Sequence, residues 1–160
     1  MGTGKSAVGR RVAARLGWRF FDTDALIEKD AKTSIASIFA QRGETHFRAL
    51  EKVAIERVCR KKEVVIATGG GAIVNKENAA RLKENGIVIC LTAMPEVILE
   101  RVRGNVERPL LQGENPLGKI RSLLATRAEA YARADLTIDT SELDVDRVVE
   151  TIVSLVRKTP

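Results

Sequence analysis

Residues Met1 to Ala7 read "MGTGKSA", and an amphipathic stretch follows at once, with Val8, Val12, Ala13 and Leu16 at helical spacing up to Gly17, a residue suited to ending a helix. Small residues, a lysine and a hydroxyl ahead of a helix form the end of a phosphate-binding loop, G-x-x-x-x-G-K-[ST], whose first glycine would lie two residues before Met1. In such a loop the amides of Gly2, Thr3, Gly4 and the first helical turn to Ala7 cradle an anion, Lys5 reaches the β- and γ-phosphates, and the Ser6 hydroxyl can ligate Mg²⁺. The same letters satisfy a second pattern, M-G-x-x-x-S, which marks N-myristoylation. The remaining chain has to decide between the two.

A chain of 160 residues, 44% hydrophobic and 30% charged, is expected to fold as one domain around one core. No run approaches the roughly 18 apolar residues of a membrane-spanning helix, and no apolar block follows a basic start, so a soluble cytoplasmic protein is expected. Cys59 and Cys90 lie far apart in apolar surroundings without a C-x-x-C partner, which points to reduced thiols rather than a zinc site. A formal charge of +6 favours anionic partners. Aromatics make up only 4%, too few for the stacking platforms of single-stranded nucleic-acid binders, so the anions expected are small ones.

Helical and strand-like patterns alternate along the chain. "WRFFD" at 18–22, "VVIA" at 64–67, "IVICLTA" at 87–93 and "LTIDT" at 136–140 read as strands. Helices are expected over 5–16, 24–30, 34–60 with a break near Gly43, 76–84, 95–103, 116–134 and 145–158. Such alternation predicts a parallel sheet covered on both faces. The exception is "GNVERPLLQGENP" at 104–116, longer than an ordinary connection and carrying Arg108, which reads as a mobile lid reaching to about residue 117.

Several constellations carry chemistry. In "FFDTD", strand alternation would turn Asp22 and Asp24 to the same side; their repulsion calls for a cation, with one carboxylate for Mg²⁺ and the other for a substrate hydroxyl. A helix N-cap, filled by Asp22 or Thr23, is the simpler role. "ATGGGA" places Gly69, Gly70 and Gly71 after a buried strand, a costly run that suits close approach of a ligand to bare N–H groups. "HFRALE" sets Arg48 and Glu51 at i,i+3, where they can pair and stiffen a guanidinium for a carboxylate. Arg127 and Tyr131 form a similar i,i+4 pair in "ATRAEAY". His46, the only histidine, has no ligand-spaced partner.

"GTGKS", "DTD", "FRALE", "GGGA", "RPLL" and "RAEAYARAD", in this order, resemble the shikimate kinase family of small P-loop kinases. The resemblance implies a three-layer α/β fold with a parallel sheet ordered 2-3-1-4-5. It also implies transfer of the ATP γ-phosphoryl to the 3-hydroxyl of shikimate by a cytoplasmic monomer with no nucleic-acid or membrane partner. Carried over by position, it makes Asp24, Lys5 and Arg108 the catalytic set. Gly2, Thr3, Gly4, Lys5, Ser6, Ala7, Arg101 and Arg108 would bind ATP; Asp24, Arg48, Gly69, Gly70, Gly71 and Arg127 would bind shikimate; Ser6 and, through water, Asp22 would hold Mg²⁺. Gly2 is then a loop glycine rather than a lipid acceptor. A gluconate-kinase-like enzyme and a non-catalytic nucleotide-binding relative are the rival readings.

The departure from the family lies at the start, where the strand before the phosphate loop and the first loop glycine fall outside the chain. That strand is the central one of the family's sheet. Without it the strands beginning at Val64 and Ile87 would lose a shared neighbour, and three or four buried aliphatic side chains are worth on the order of 6–9 kcal/mol. The expectation is a 160-residue polypeptide that is unstable or poorly active alone, its start placed at an internal Met of a longer reading frame.

Overall fold

Gly4 and Gly17 adopt left-handed backbone conformations, φ +81° and +73°, and between them the chain winds into helix α1 (Lys5–Leu16). The computed structural model describes residues 2–102 and 115–158. At the C-terminal end of α1 the Gly17 and Trp18 amides donate back to Ala14 and Ala13, which satisfies carbonyls the helix leaves open. Strand β1 (Arg19–Asp22) follows, then α2 (Thr23–Ala31) and the long α3 (Ile35–Cys59). Ser34 caps α3 through the Ser37 amide, and Glu28 accepts the Ile35 amide, so α2 and α3 are stitched at their junction. Gly43, with φ 77° and ψ 173°, breaks α3 where its sequence suggested.

Strand β2 (Val64–Ala67) runs parallel to β1, with Arg19 opposite Val64 and Asp22 opposite Ala67. The glycine run leads into a 3₁₀ turn at Ala72–Val74 that sequence patterning did not reveal, and then α4 (Lys76–Asn85). Strand β3 (Ile89–Thr92), α5 (Pro95–Val102), α6 (Pro116–Tyr131), β4 (Leu136–Asp139) and α7 (Val145–Lys158) complete the described chain. β3 and β4 are parallel, Ile89 opposite Leu136. β3 begins two residues later than its β-branched run because the Asp135 carboxylate takes the Val88 amide at 2.8 Å. That bond, aided by Lys83, holds the Asp135 carboxyl below the usual carboxylate range. α6 ends at Tyr131 rather than 134, as the chain tightens into short turns from Ala130 to Ala134. At its other end Asn115 caps α6 and Pro116 and Leu117 belong to the helix, so the expected lid does not extend to 117; its residues 104–114, Arg108 among them, lie outside the described ones.

The sheet strands form two pairs, β1 with β2 and β3 with β4. This is the order expected for the family's four outer strands. The inner edges of β2 and β3 do not pair with each other; a groove of about 930 Å³ separates them, walled by Val64 and Ile66 on one side, Ile89 and Leu91 on the other, and Val8 and Val12 of α1. Alternate residues of β2 pack on different layers. Val65 joins a core with Val8, Val12, Leu91, Ile138, Val148 and Ile152, whereas Ile66 joins Ile55, Cys59, Ala72 and Leu82. Helices α1 and α7 therefore cover one face and α3 and α4 the other. A separate cluster of Ile27, Ile38, Phe47 and Ala54 unites α2 with both halves of α3, the Phe39 and Phe47 rings lying 4.8 Å apart.

Gly9 shows how closely α1 sits on the sheet. A Cβ at this position would stand 2.7 Å from Cε2 of Phe20. Alanine is the better helix former by about 1 kcal/mol, but the clash works against it. Gly9→Ala is expected to lower stability by about 1–2 kcal/mol net, read as an earlier midpoint in urea unfolding.

Candidate active site

A cavity of about 920 Å³ opens where the strand ends meet the start of α1. It is lined by Gly2, Thr3, Gly4, Lys5, Ser6, Ala7, Asp22, Asp24, Arg48, Gly69, Gly70, Gly71, Arg101 and Arg127. Every described residue that the family resemblance assigns to ATP, shikimate or Mg²⁺ thus reaches one space.

At one end lies the phosphate-loop segment. Gly2, at φ +65°, lies against α5: a Cβ there would come within 2.9 Å of Val102 Cγ1. Thr3 is buried, and its hydroxyl accepts from Lys5 Nζ at 3.4 Å. Ser6 Oγ donates to Asp22 Oδ2 at 2.6 Å. The other Asp22 oxygen accepts the Asp24 amide at 3.0 Å and the Ala25 amide at 3.4 Å, which makes Asp22 the N-cap of α2. Asp22 is thus the N-cap of α2 through one oxygen, and its other oxygen takes the Ser6 hydroxyl. Asp24 does not reach the cavity by the expected strand alternation: β1 ends at Asp22, and Asp24 stands in the first turn of α2, turned to the cavity by helical geometry.

At the other end Arg48 Nη1 donates to Glu51 Oε2 at 2.8 Å, and Glu51 is fully buried. Burial pushes the Glu51 carboxyl above the usual carboxylate range, an effect that Arg48 opposes and neighbouring Asp24 reinforces. Arg48 also donates from Nε and Nη2 to Glu44 Oε1, at 3.2 and 3.0 Å. This i,i+4 contact follows the helical rule that found Glu51, but Glu44 directly follows the Gly43 break and drew no attention. Glu51 Oε1 and Asp24 Oδ1 converge over Gly69, where a Cβ would meet them at 3.1 and 3.0 Å. Arg127 lines the cavity without an ion pair among the described residues. It does not partner Tyr131 as their spacing suggested; the Tyr131 hydroxyl donates instead to the Gly70 carbonyl at 2.8 Å.

At the rim, Arg101 is fixed by two bonds to Thr140, Nη1 to Oγ1 at 3.0 Å and Nη2 to the carbonyl at 2.7 Å. Thr140, from the end of β4, went unnoticed in the sequence because nothing local marks a residue that holds an arginine 39 positions away.

An anion loop, two arginines and bare glycines in one cavity are what the shikimate kinase family pattern demands, and residues 1–157 match that family. The chain belongs to the shikimate kinase family. It is 46% identical over 153 residues to a shikimate kinase of Thermoanaerobacter pseudethanolicus, covering 96% of this chain and 90% of the relative. The shikimate kinase of Geobacter sulfurreducens is 48% identical over 158 residues, 99% and 87% of the two chains. Among solved structures, the shikimate kinase of Acinetobacter baumannii in complex with shikimate superposes with a TM-score of 0.94 at 39% identity, over 100% of this chain and 91% of that one. The Aquifex aeolicus shikimate kinase superposes at 0.84, with 34% identity and coverage of 98% and 92%.

The close approach of Gly71 to Arg48 leaves no room for a side chain at this end of the cavity. A Cβ on Gly71 would lie 2.6 Å from Arg48 Nη2 and 2.8 Å from Nη1, and Arg48 cannot swing away without leaving buried Glu51. Gly71→Ala is expected to raise KM for shikimate about tenfold or more while KM for ATP stays unchanged, as initial rates with each substrate varied in turn would show.

Proposed function

We propose that this cavity holds ATP with its phosphates on residues 2–7 and shikimate between Asp24, the glycine run and the two arginines, and that the shikimate 3-hydroxyl receives the γ-phosphoryl. The observation that carries this reading is a single cavity with cationic or amide-rich ends and a carboxylate between them. Asp24 follows Asp22, which is bonded to Ser6, and shares the space over Gly69 with Glu51, which grips Arg48. Two anions can thus be drawn toward each other with a proton acceptor at their junction.

Each side chain then has a task. The amides of Gly4, Lys5 and Ser6 and the α1 N-terminus bind the phosphates, and Lys5 balances charge at the β/γ bridge. Asp24 orients the attacking hydroxyl and accepts its proton. Arg48, held flat by Glu51, and Arg127 take the shikimate carboxylate, and the Gly70 and Gly71 amides its polar edge. Arg101, pinned by Thr140, lies toward the adenine end. Arg108, outside the described residues, is assigned from its motif to the transferring phosphoryl.

The donor set suits Mg²⁺. Ser6 and Asp22 offer hard oxygens 2.6 Å apart, and no cluster of three or more His, Cys, Asp or Glu exists among the described residues to hold a metal without its nucleotide. Ser6, and Asp22 through water, would hold the ion, which when bound neutralises charge on the β- and γ-phosphates.

The enzyme is taken to act as a cytoplasmic monomer on small molecules, without a nucleic-acid or membrane partner. No helix among the described residues is long and apolar enough to cross a membrane, and both cysteines are free thiols. ADP release coupled to NADH oxidation, with shikimate against gluconate as acceptor, tests the function directly. Shikimate-dependent turnover is expected. Turnover with gluconate alone, or binding of ATP and shikimate without ADP release, would overturn the reading.

A further inference from the structure

Within the glycine run, three peptide planes are tied down by different means. The Gly69 carbonyl accepts the Ala72 amide at 3.1 Å and the Gly71 carbonyl accepts the Val74 amide at 3.1 Å, both part of the 3₁₀ turn. Among the described residues the Gly70 carbonyl has only Tyr131, whose hydroxyl arrives from a residue 61 positions away in α6. A trans peptide sets the C=O of one residue and the N–H of the next on opposite edges of one plane, and there are no cis bonds among the described residues. Whatever holds the Gly70 oxygen therefore orients the Gly71 N–H. Between two glycines that plane meets little steric resistance to flipping. Among the described residues the Gly71 N–H donates to no protein acceptor, and the Arg48 guanidinium lies against the same residue. Arg127, one helical turn before Tyr131, reaches the same cavity.

We propose that Tyr131 is a positioning residue: its hydroxyl locks the Gly70–Gly71 peptide so that the Gly71 N–H stays turned away from α6, a preset donor for the acceptor substrate beside Arg48. The proposal rests on the reading of this cavity as the shikimate site. It also explains why a helix that carries a substrate arginine bears a tyrosine one turn later.

Tyr131→Phe removes the hydroxyl and keeps the ring. The expected result is a rise in KM for shikimate of about three- to tenfold, with kcat and KM for ATP changed by less than about twofold. In ¹⁵N–¹H spectra of the ligand-free protein, the Gly71 amide signal is expected to move or double in Y131F. A KM for shikimate equal to wild type, or equal rises for both substrates, would overturn the positioning role. An unmoved Gly71 amide would overturn the peptide lock whatever the substrate is. Wild-type protein inert toward shikimate would overturn the functional reading instead, and the amide signal alone would then decide the lock.

Discussion

Asp24→Asn is expected to fold, to bind ATP, and to phosphorylate shikimate roughly 10²–10⁴ times more slowly than the parent. The substitution keeps the shape of the side chain and removes its capacity to take a proton. The backbone of residue 24 stays anchored, since its amide donates to Asp22 rather than depending on its own carboxylate. One electrostatic contribution favours folding of the variant. Asp24 helps to push the buried Glu51 carboxyl upward, so neutralising Asp24 relieves a repulsion. A melting temperature close to that of the parent, together with the rate loss, separates a role in the reaction from one in the fold. A kcat within tenfold of the parent would remove Asp24 from proton transfer.

The second large effect is expected at Arg48. Arg48→Ala leaves Glu51, fully buried, without its cation. Breaking a buried pair from one side costs about 3–5 kcal/mol; because Arg48 is itself 28% exposed, about 3 kcal/mol is expected here. Shikimate binding falls with it, for want of the guanidinium. The two losses come apart in Arg48→Ala/Glu51→Gln, where no charge remains to be buried: stability recovers and binding does not. Acidity should act on the single variant in the same direction. Glu51 has a folded-state pKa raised above its unfolded value by burial, and Arg48 is the main group opposing that rise. The folded protein thus holds the proton more tightly, so the stability contributed is full below the ordinary carboxylate pKa and is lost as pH rises through the raised value. Urea unfolding of R48A at pH 5 and pH 8 should show the smaller deficit at pH 5; a deficit independent of pH and of the residue at 51 would mean that the pair does not govern this end of the cavity.

What could be read from the sequence follows the distance over which each feature is written. The phosphate-loop segment, the Gly43 break and the Arg48–Glu51 pair are each encoded within a few residues, and helical spacing suffices to place them. The parallel direction of the strands follows from alternation of patterns, because parallel neighbours need a crossover between them, whereas which strands pair was implied by the family resemblance. Asp24 reached the cavity for a reason other than the one inferred: strand periodicity was extended across Asp22, the residue whose cap turns the chain into a helix. The grip of Tyr131 on Gly70 and of Thr140 on Arg101 spans 61 and 39 residues. Such bonds exist only once the layers have assembled, and no local pattern announces them.

The separate cluster joining α2 to the two halves of α3 has a thermodynamic meaning of its own. Ile27, Ile38, Phe47 and Ala54 make a small core apart from the one beneath the sheet, yet Phe39, Phe47 and Arg48 around it line the cavity. A lobe with its own modest core can open at less cost than the global unfolding of the molecule. The end of the cavity proposed to hold shikimate is thereby built partly on a lobe with its own small core, and a substrate held at once by Arg48 of this lobe and by the glycine run of the sheet would slow the lobe's hydrogen exchange without slowing that of the strands.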